Sequence, residues 1–387
     1  MHILEIPSFF PPYGGSFCLD QAKALSALGN EVRILSNVQL GISIGWKDYL
    51  TLPYFRYEHE MEGITVYLSY QRGLPKNIRF NVNRWVSIVR SMFGDYVKKY
   101  GVPDILHAHC AKWAGFAAMC IAEDYHIPYV ITEHLPLLWL QDEFGKAPSS
   151  AWQIPLLRKA YETADMVLPV SEELVDDIAC YYGKNYRWQY VSNTIDTDFF
   201  HYQPREPREG RPFRFCCLAD YSYRKGYDVL FDAWEAMQRE NCDVELYAAG
   251  ALTDGSDCRR EISRHHLKNV KTYGRIGKQG VRDLLYSCDA LVLPSRSEVQ
   301  PLVVLEAMST GVPVVSTECI PQCLRITDGC AIVGIGDSEA LALAMKQVMS
   351  KPSPDGTVLS EKVKSLASPD VVGRKLVAVF SEIISLR

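Results

Sequence analysis

The sequence predicts an α/β protein made of two doubly wound, Rossmann-like domains that face each other across a cleft. Three observations lead there. Short apolar runs rich in β-branched residues alternate with segments of helical length, the pattern of βαβ units around a parallel sheet. The alternation runs once before residue 200 and again after residue 212. At roughly 150 residues per domain, a chain of 387 residues suits two cores.

In the first half, HILEI (2–6), EVRILS (31–36), DILHAH (104–109), PYVITEH (128–134) and MVLPVS (166–171) fit buried strands. In the second, FRFCCLAD (213–220), VELYAAG (244–250), VKTYG (270–274), ALVLPS (290–295) and PVVST (313–317) do the same. Between them, HYQPREPREGRP (201–212) carries three prolines and alternating charges, which resist regular structure and suit an exposed linker. The expected plan is therefore an N-terminal domain over 1–200, a linker over 201–212 and a C-terminal domain over 213–369. A last helix is expected over 370–387, from the pattern DVVGRKLVAVFSEIISL.

Composition narrows the function. A content of 48% hydrophobic and 22% charged residues belongs to a folded globular chain, and a net charge of -5 argues against a general nucleic-acid binder. No run approaches the roughly 20 apolar residues of a membrane-spanning helix. The stretch MHILEIPSFFPPYGG lacks the basic leader and cleavage site of a signal peptide, so a cytoplasmic protein is expected. The twelve cysteines include no CxxC pair, and two are adjacent at 216 and 217, so they read as reduced thiols. Neither Cys319 with Cys323 nor the scattered histidines make a ligand set, and no metal is expected.

Open parallel sheets collect ligands beyond the carboxyl ends of their strands, so the loops that follow strands carry the argument. Gly14 and Gly15 precede an amphipathic helix; they suit a backbone approach to phosphate or simply a tight turn. The GxGxxG spacing of a dinucleotide site is absent. Arg224 and Lys225 sit at the equivalent place in the second half, where two cations suit a diphosphate or a solvated turn. The loop SRSEVQP and the helix LVVLEAMSTG then bring Glu298 and Glu306 to the same kind of place. A glutamate near a helix start can hold both hydroxyls of a ribose, or merely answer the helix dipole; spacing leaves both open.

Taken in order, these segments resemble the retaining family 4 glycosyltransferases. PSRSEVQPLVVLEAM is similar to that family's E-x7-E signature, with DALVLPS before it and GVPVVST after it. PPYGG with its helix and GNEV, HAH (107–109), TEH (132–134), ADMVLPVSE (164–172), VSNTIDTDFF (191–200) and RKGYDVL all fall in family order. The resemblance implies a GT-B fold, with the acceptor mainly on the N-terminal domain and a nucleotide diphosphate sugar on the C-terminal one. It also implies a last helix that crosses back to the first domain. The implied activity is retaining transfer of a hexose-type sugar to an acceptor hydroxyl in glycan or polysaccharide biosynthesis, without a metal. By the same resemblance, Glu306 binds the donor ribose, Glu298 lies beside the transferred sugar, and Lys225 contacts the diphosphate; Arg224 is expected to stand in for the family's missing arginine. Gly15 offers its N–H to the phosphates, and His134 reaches the sugar near the reaction centre. Asp196-Thr197-Asp198 spells the metal-binding DxD of other glycosyltransferase folds, but the resembled family uses this segment structurally.

Three departures stand out. Asp220 occupies a position where the family usually has an arginine, Pro301 has no N–H to offer sugar hydroxyls, and STECIPQC (316–323) lacks the Gly-Gly often found there. Two other readings stay open: a glycosidase using Glu298 and Glu306 as acid and nucleophile, and a silent nucleotide-sugar-binding subunit. Residues 72–99 hold seven Lys or Arg and one acid, with Trp85, Ile88, Val89, Met92, Phe93 and Tyr96 at helical spacing. That stripe is read as the inner face of a helix, with a peripheral contact at an anionic membrane and a lipid-linked acceptor as the alternative. No segment singles out acceptor-binding residues, and backbone from Tyr273 to Ile276 is expected near the donor base.

Overall fold

Consecutive Val, Ile and Leu can be buried at every position only in strands covered on both faces, and both sheets of this protein are built that way. The computed structural model describes the chain apart from residues 13, 42–45, 52–55, 146–147, 205–209, 328 and 351–354. It forms two compact units, Met1–Thr194 with Pro369–Arg387, and Ile195–Ser368.

The first unit contains β1 (His2–Pro7), β2 (Glu31–Leu40), β3 (Arg56–Met61), β4 (Ile64–Arg72), β5 (Ile105–His109), β6 (Tyr129–Glu133) and β7 (Met166–Pro169). They lie in the order β3-β4-β2-β1-β5-β6-β7, and every pairing is parallel except β3 with β4. The β3–β4 hairpin was not expected. Its turn, Glu62-Gly63, has positive φ at both residues (51° and 81°), the conformation that matches the twist of two antiparallel strands. RYEHEM alternates exposed and half-buried residues, as an edge strand does, and so lacks the continuous apolar run that marks its neighbours.

The second unit contains β8 (Phe213–Leu218), β9 (Val244–Ala249), β10 (Val270–Thr272), β11 (Ala290–Leu293), β12 (Val314–Thr317) and β13 (Cys330–Val333), all parallel, in the order β10-β9-β8-β11-β12-β13. With the β3 edge set aside, each sheet has the doubly wound order 3-2-1-4-5-6. The chain direction therefore reverses between β1 and β5 in one unit and between β8 and β11 in the other, and crevices open at such points.

The units divide before Ile195, not after Phe200. Ile195 donates its N–H to the carbonyl of Ala367, and Phe200 is buried in the core of the second unit, where its carbonyl accepts from Ser309 Oγ. Of the expected linker, residues 205–209 lie outside the described residues. The last helix, Pro369–Ser385, buries Val372, Leu376, Val379, Phe380 and Ile383 with Ile3, Leu19, Ala22 and Leu25 of the first unit. Gly373 makes that approach close: a Cβ there would lie 2.9 Å from the Ala24 carbonyl oxygen.

Helix Ile78–Tyr100 turns its apolar stripe inward, burying Val82, Trp85, Val86, Val89, Met92, Phe93 and Tyr96. Several of its cations are paired, Arg90 with Asp124 at 2.5 Å and Lys99 with Glu58 at 2.7 Å. Among the described residues no disulfide joins the cysteines, and no helix is long and apolar enough to cross a membrane.

Candidate functional site

At the reversal point of the second unit, the loop after β8 makes a short turn, Tyr223–Lys225, before helix Tyr227–Arg239. Gly226 joins them at φ +70°, and a Cβ there would sit 2.0 Å from the carbonyl oxygen of Pro294, just beyond β11. Only glycine allows the two loops to come this close. Their contact delivers Lys225 to Glu298: Lys225 Nζ and Ser295 Oγ both donate to Glu298 Oε1 at 2.6 Å. An Arg224 guanidinium nitrogen lies 3.5 Å from Glu298 Oε2 and donates to the Ser297 carbonyl at 3.1 Å. The Lys225 and Glu298 side chains are only 14% and 7% exposed.

A second pair, not foreseen from the sequence, clamps the same two loops. Arg296 donates to both carboxylate oxygens of Asp228, at 2.8 and 2.6 Å, and its guanidinium lies 3.9 Å from the centre of the Tyr223 ring. Burial works against ionisation of Asp228, but the bonds from Arg296 hold its carboxyl below the usual range. Arg296 also donates its backbone N–H to the Arg224 carbonyl at 2.8 Å.

Glu306 lies half-buried in helix Leu302–Ser309. Pro301 opens that helix, its carbonyl accepting from Val304 N–H at 3.1 Å, while Val299 and Gln300 before it are buried. Asp220 acts structurally, since its Oδ1 accepts from the Ala251 N–H at 2.7 Å and so ties the loop after β8 to the loop after β9. Asp196 likewise accepts from the Phe199 N–H at 3.0 Å and from Lys278 Nζ at 3.0 Å, so the DxD-like segment is a capped turn.

At the reversal point of the first unit the chemistry is buried. Glu5 is fully buried in β1, and its carboxylate meets His107 Nδ1 at 3.0 Å and His109 Nε2 at 2.8 Å. His107 Nε2 contacts Thr132 Oγ1 at 2.6 Å, and His109 Nδ1 lies 3.1 Å from His134 Nε2. Burial alone raises the Glu5 pKa, but the charge and hydrogen bonds of His107 and His109 outweigh it and hold the carboxyl at about 2. Burial, reinforced by the neighbouring histidines, lowers the pKa of His109 and pushes that of His134 well down. The histidines that look scattered in the sequence thus gather in the fold, and Glu5, His107 and His109 place three ligand-type atoms within 4.8 Å of one another.

His134 is held on every side. Its ring stacks on Phe17 at 4.8 Å and on His109 at 5.4 Å. Its backbone N–H donates to Glu133 Oε1, which also accepts from Leu135 N–H, while Glu133 Oε2 accepts from Ala111 N–H and Tyr161 Oη–H. Phe17, two residues after Gly15, opens the helix Phe17–Ala27, and a Cβ on Gly15 would fall 2.4 Å from its ring, so the Gly-Gly loop and His134 belong to one packed group. Sequence reasoning also missed Lys112. It is buried after β5, 3.1 Å from Glu143 and 4.1 Å from the centre of the Trp139 ring, with Phe9 edge-on to Trp139.

Residues 14–199 match the model described as Glycosyltransferase Family 4, and residues 212–351 match that described as Glycosyl transferases group 1. TuaC of Bacillus subtilis (strain 168), a glycosyltransferase assigned to teichuronic acid biosynthesis, is 27% identical over 336 residues, 82% of this chain and 81% of its own. The glycogen synthase of Mycobacterium tuberculosis (strain ATCC 25618 / H37Rv) is 26% identical over 380 residues, 91% of this chain and 87% of its own. Among solved structures, the sucrose-phosphate synthase of Thermosynechococcus elongatus superposes with a TM-score of 0.80 at 17% identity, with all of both chains covered. Anabaena Alr3699/HepE in complex with UDP-glucose gives a TM-score of 0.71 at 16% identity, covering 99% of this chain and 100% of its own. Since the two family models together span most of the chain and its structural neighbours share its two-unit α/β fold, the protein belongs to the family 4 glycosyltransferases of the GT-B fold.

Proposed function

We propose that the protein is a retaining glycosyltransferase that moves a hexose-type sugar from a nucleotide diphosphate sugar to a hydroxyl of a growing glycan. The observation that carries this reading is the Lys225–Glu298 contact at 2.6 Å, which joins the two loops at the reversal point of the second unit. As the donor breaks, negative charge grows on the leaving diphosphate, and preorganised cations aimed at it are worth far more than mobile ones. Lys225 and Arg224 are those cations. Glu298 keeps Lys225 in position and offers its remaining lone pairs to the sugar hydroxyls, while Glu306 takes the ribose. Gly15 and His134 are the residues of the first unit proposed, by the family resemblance, to serve the phosphates and the sugar.

Retention needs no protein nucleophile and no metal in this scheme. The bond from the anomeric carbon to the phosphate oxygen breaks, the acceptor oxygen bonds on the same face, and its proton passes to the departing phosphate oxygen. The aromatic faces of Trp139 and Phe9, beside the Lys112–Glu143 pair, suit the acceptor glycan. The roles named for TuaC and glycogen synthase support polysaccharide synthesis, and the UDP-glucose bound to HepE supports a nucleotide sugar as donor. A glycosidase releases no diphosphate, so the cations that Glu298 gathers, Lys225 and Arg224, would have no task in that reaction.

The test is release of nucleoside diphosphate from a panel of nucleotide sugars, with and without oligosaccharide acceptors, and the anomeric configuration of the product by NMR. Acceptor-dependent release with retention supports the reading. Inversion, hydrolysis of a glycoside without any nucleotide, or binding without release would each refute it.

A further inference from the structure

We infer that Ser295 is a positioning residue for Glu298: together with Lys225 it takes up Oε1, so that Oε2 is the carboxylate oxygen presented to a hydroxyl of the donor sugar. This rests on the reading of Glu298 as a neighbour of that sugar.

Strand β11 ends at Leu293, and the chain that leaves it is tied down at once. The Ser295 carbonyl accepts from Thr317 Oγ1–H at 2.6 Å, and Cys319 Sγ lies 3.2 Å from the same oxygen. Ser295 and Thr317 are both fully buried. The Ser295 hydroxyl therefore starts from a fixed point, and its one proton goes to Glu298 Oε1, three residues on, at 2.6 Å. Val299 and Gln300, buried just beyond Glu298, hold the other end of the loop.

The two carboxylate oxygens of Glu298 then differ. Oε1 accepts from Lys225 Nζ and from Ser295 Oγ, both at 2.6 Å, which fills the two lone-pair directions of one oxygen. Oε2 accepts no hydrogen bond among the described residues, for the Arg224 guanidinium nitrogen that lies 3.5 Å from it donates instead to the Ser297 carbonyl at 3.1 Å. Nor is Oε2 one of the sealed, unpartnered polar atoms of those residues, so it reaches solvent. A carboxylate held by Lys225 alone could turn until both of its oxygens shared the ammonium. The Ser295 hydroxyl blocks that turn, because it draws Oε1 from a second direction. One oxygen is occupied and the other is left open.

The test measures Kd by calorimetry for UDP-glucose, GDP-mannose and ADP-glucose and for UDP, GDP and ADP, and follows the base whose sugar form the wild type binds. Ser295→Ala should weaken the nucleotide sugar about tenfold and leave the nucleoside diphosphate, which has no sugar to lose, within about twofold, with little change in Tm. Ser295→Thr keeps the hydroxyl and should restore most of the affinity for the sugar form. In a Glu298→Gln background, Ser295→Ala should add less than about twofold, since the serine acts only through that carboxylate. If Ser295→Ala does not fold, Thr317→Val, which frees the Ser295 carbonyl, takes its place in both comparisons with the same split expected. Equal weakening of both ligands, no weakening of either, or the full loss repeated in the Glu298→Gln background would each overturn the role of Ser295. A Glu298→Gln variant that binds the nucleotide sugar as well as the wild type, or a wild type that binds none of the three sugar forms, would overturn the reading of Glu298 and the inference with it.

Discussion

Lys225→Met separates structure from chemistry at the donor site. Methionine keeps the length of the side chain and deletes the charge that lies 2.6 Å from Glu298. Stranding a buried charge costs about 3–5 kcal/mol, but Glu298 keeps Ser295 at 2.6 Å and Arg224 at 3.5 Å, so a loss of about 1–3 kcal/mol in stability is expected. If Lys225 also faces the leaving diphosphate, turnover should fall separately, by about 10²–10³ in kcat, the cost of removing one preorganised donor. The double variant Lys225→Met with Glu298→Gln removes both charges. It should regain stability to within about 1 kcal/mol of wild type by urea denaturation, yet remain slow in nucleoside diphosphate release. Turnover that returned together with stability would refute the argument, because Lys225 would then act only as a partner for Glu298.

Two further outcomes follow from the geometry. Gly226→Ala puts a Cβ 2.0 Å from the Pro294 carbonyl oxygen at φ +70°, so a stability loss above about 2 kcal/mol and a Tm lower by several degrees are expected in calorimetry. Acid should destabilise the first unit in two stages. His109 and His134 have lowered pKa values, so their contribution is present above the unfolded value of 6.5 and fades as the unfolded chain takes up protons below it. Glu5 adds a second loss as pH falls from its unfolded value of 4.5 toward about 2, and urea midpoints measured from pH 8 to pH 3 should decline throughout the acid half, less steeply for Glu5→Leu in its lower part.

What the sequence made legible depended on how local the signal was. Buried parallel strands read as continuous apolar runs, so β1, β5, β6, β8 and β11 fell where expected, while the exposed alternation of β3 gave no such run. Lys225 and Glu298 could be singled out because each follows a strand at a recognisable spacing, but their contact spans 73 positions and needs Gly226 to form. Nothing local in the sequence marks Arg296 and Asp228 as partners, since 68 positions separate them. Glu5 was hidden most completely. In HILEI it breaks an apolar pattern without explanation, and only the parallel register that sets Glu5 opposite His107, and His109 opposite Thr132, assembles the buried group.

The two units share a strand order and place opposite chemistry at the same topological point. In the second unit the loops carry fixed, partly accessible ions: Lys225, Arg224, Glu298, Arg296 and Asp228. In the first, one carboxylate is sealed between His107 and His109, and burial lowers the pKa of His109 and of His134 beside it. A transferase has use for both. A departing diphosphate gains charge and calls for cations, whereas a sugar hydroxyl is held without competing for phosphate by a neutral acceptor. Burial lowers the pKa of His134, so charging a ring stacked between Phe17 and His109 is costly. The fold supplies only the crevice. Which charges are exposed and which are buried there decides what each crevice can hold.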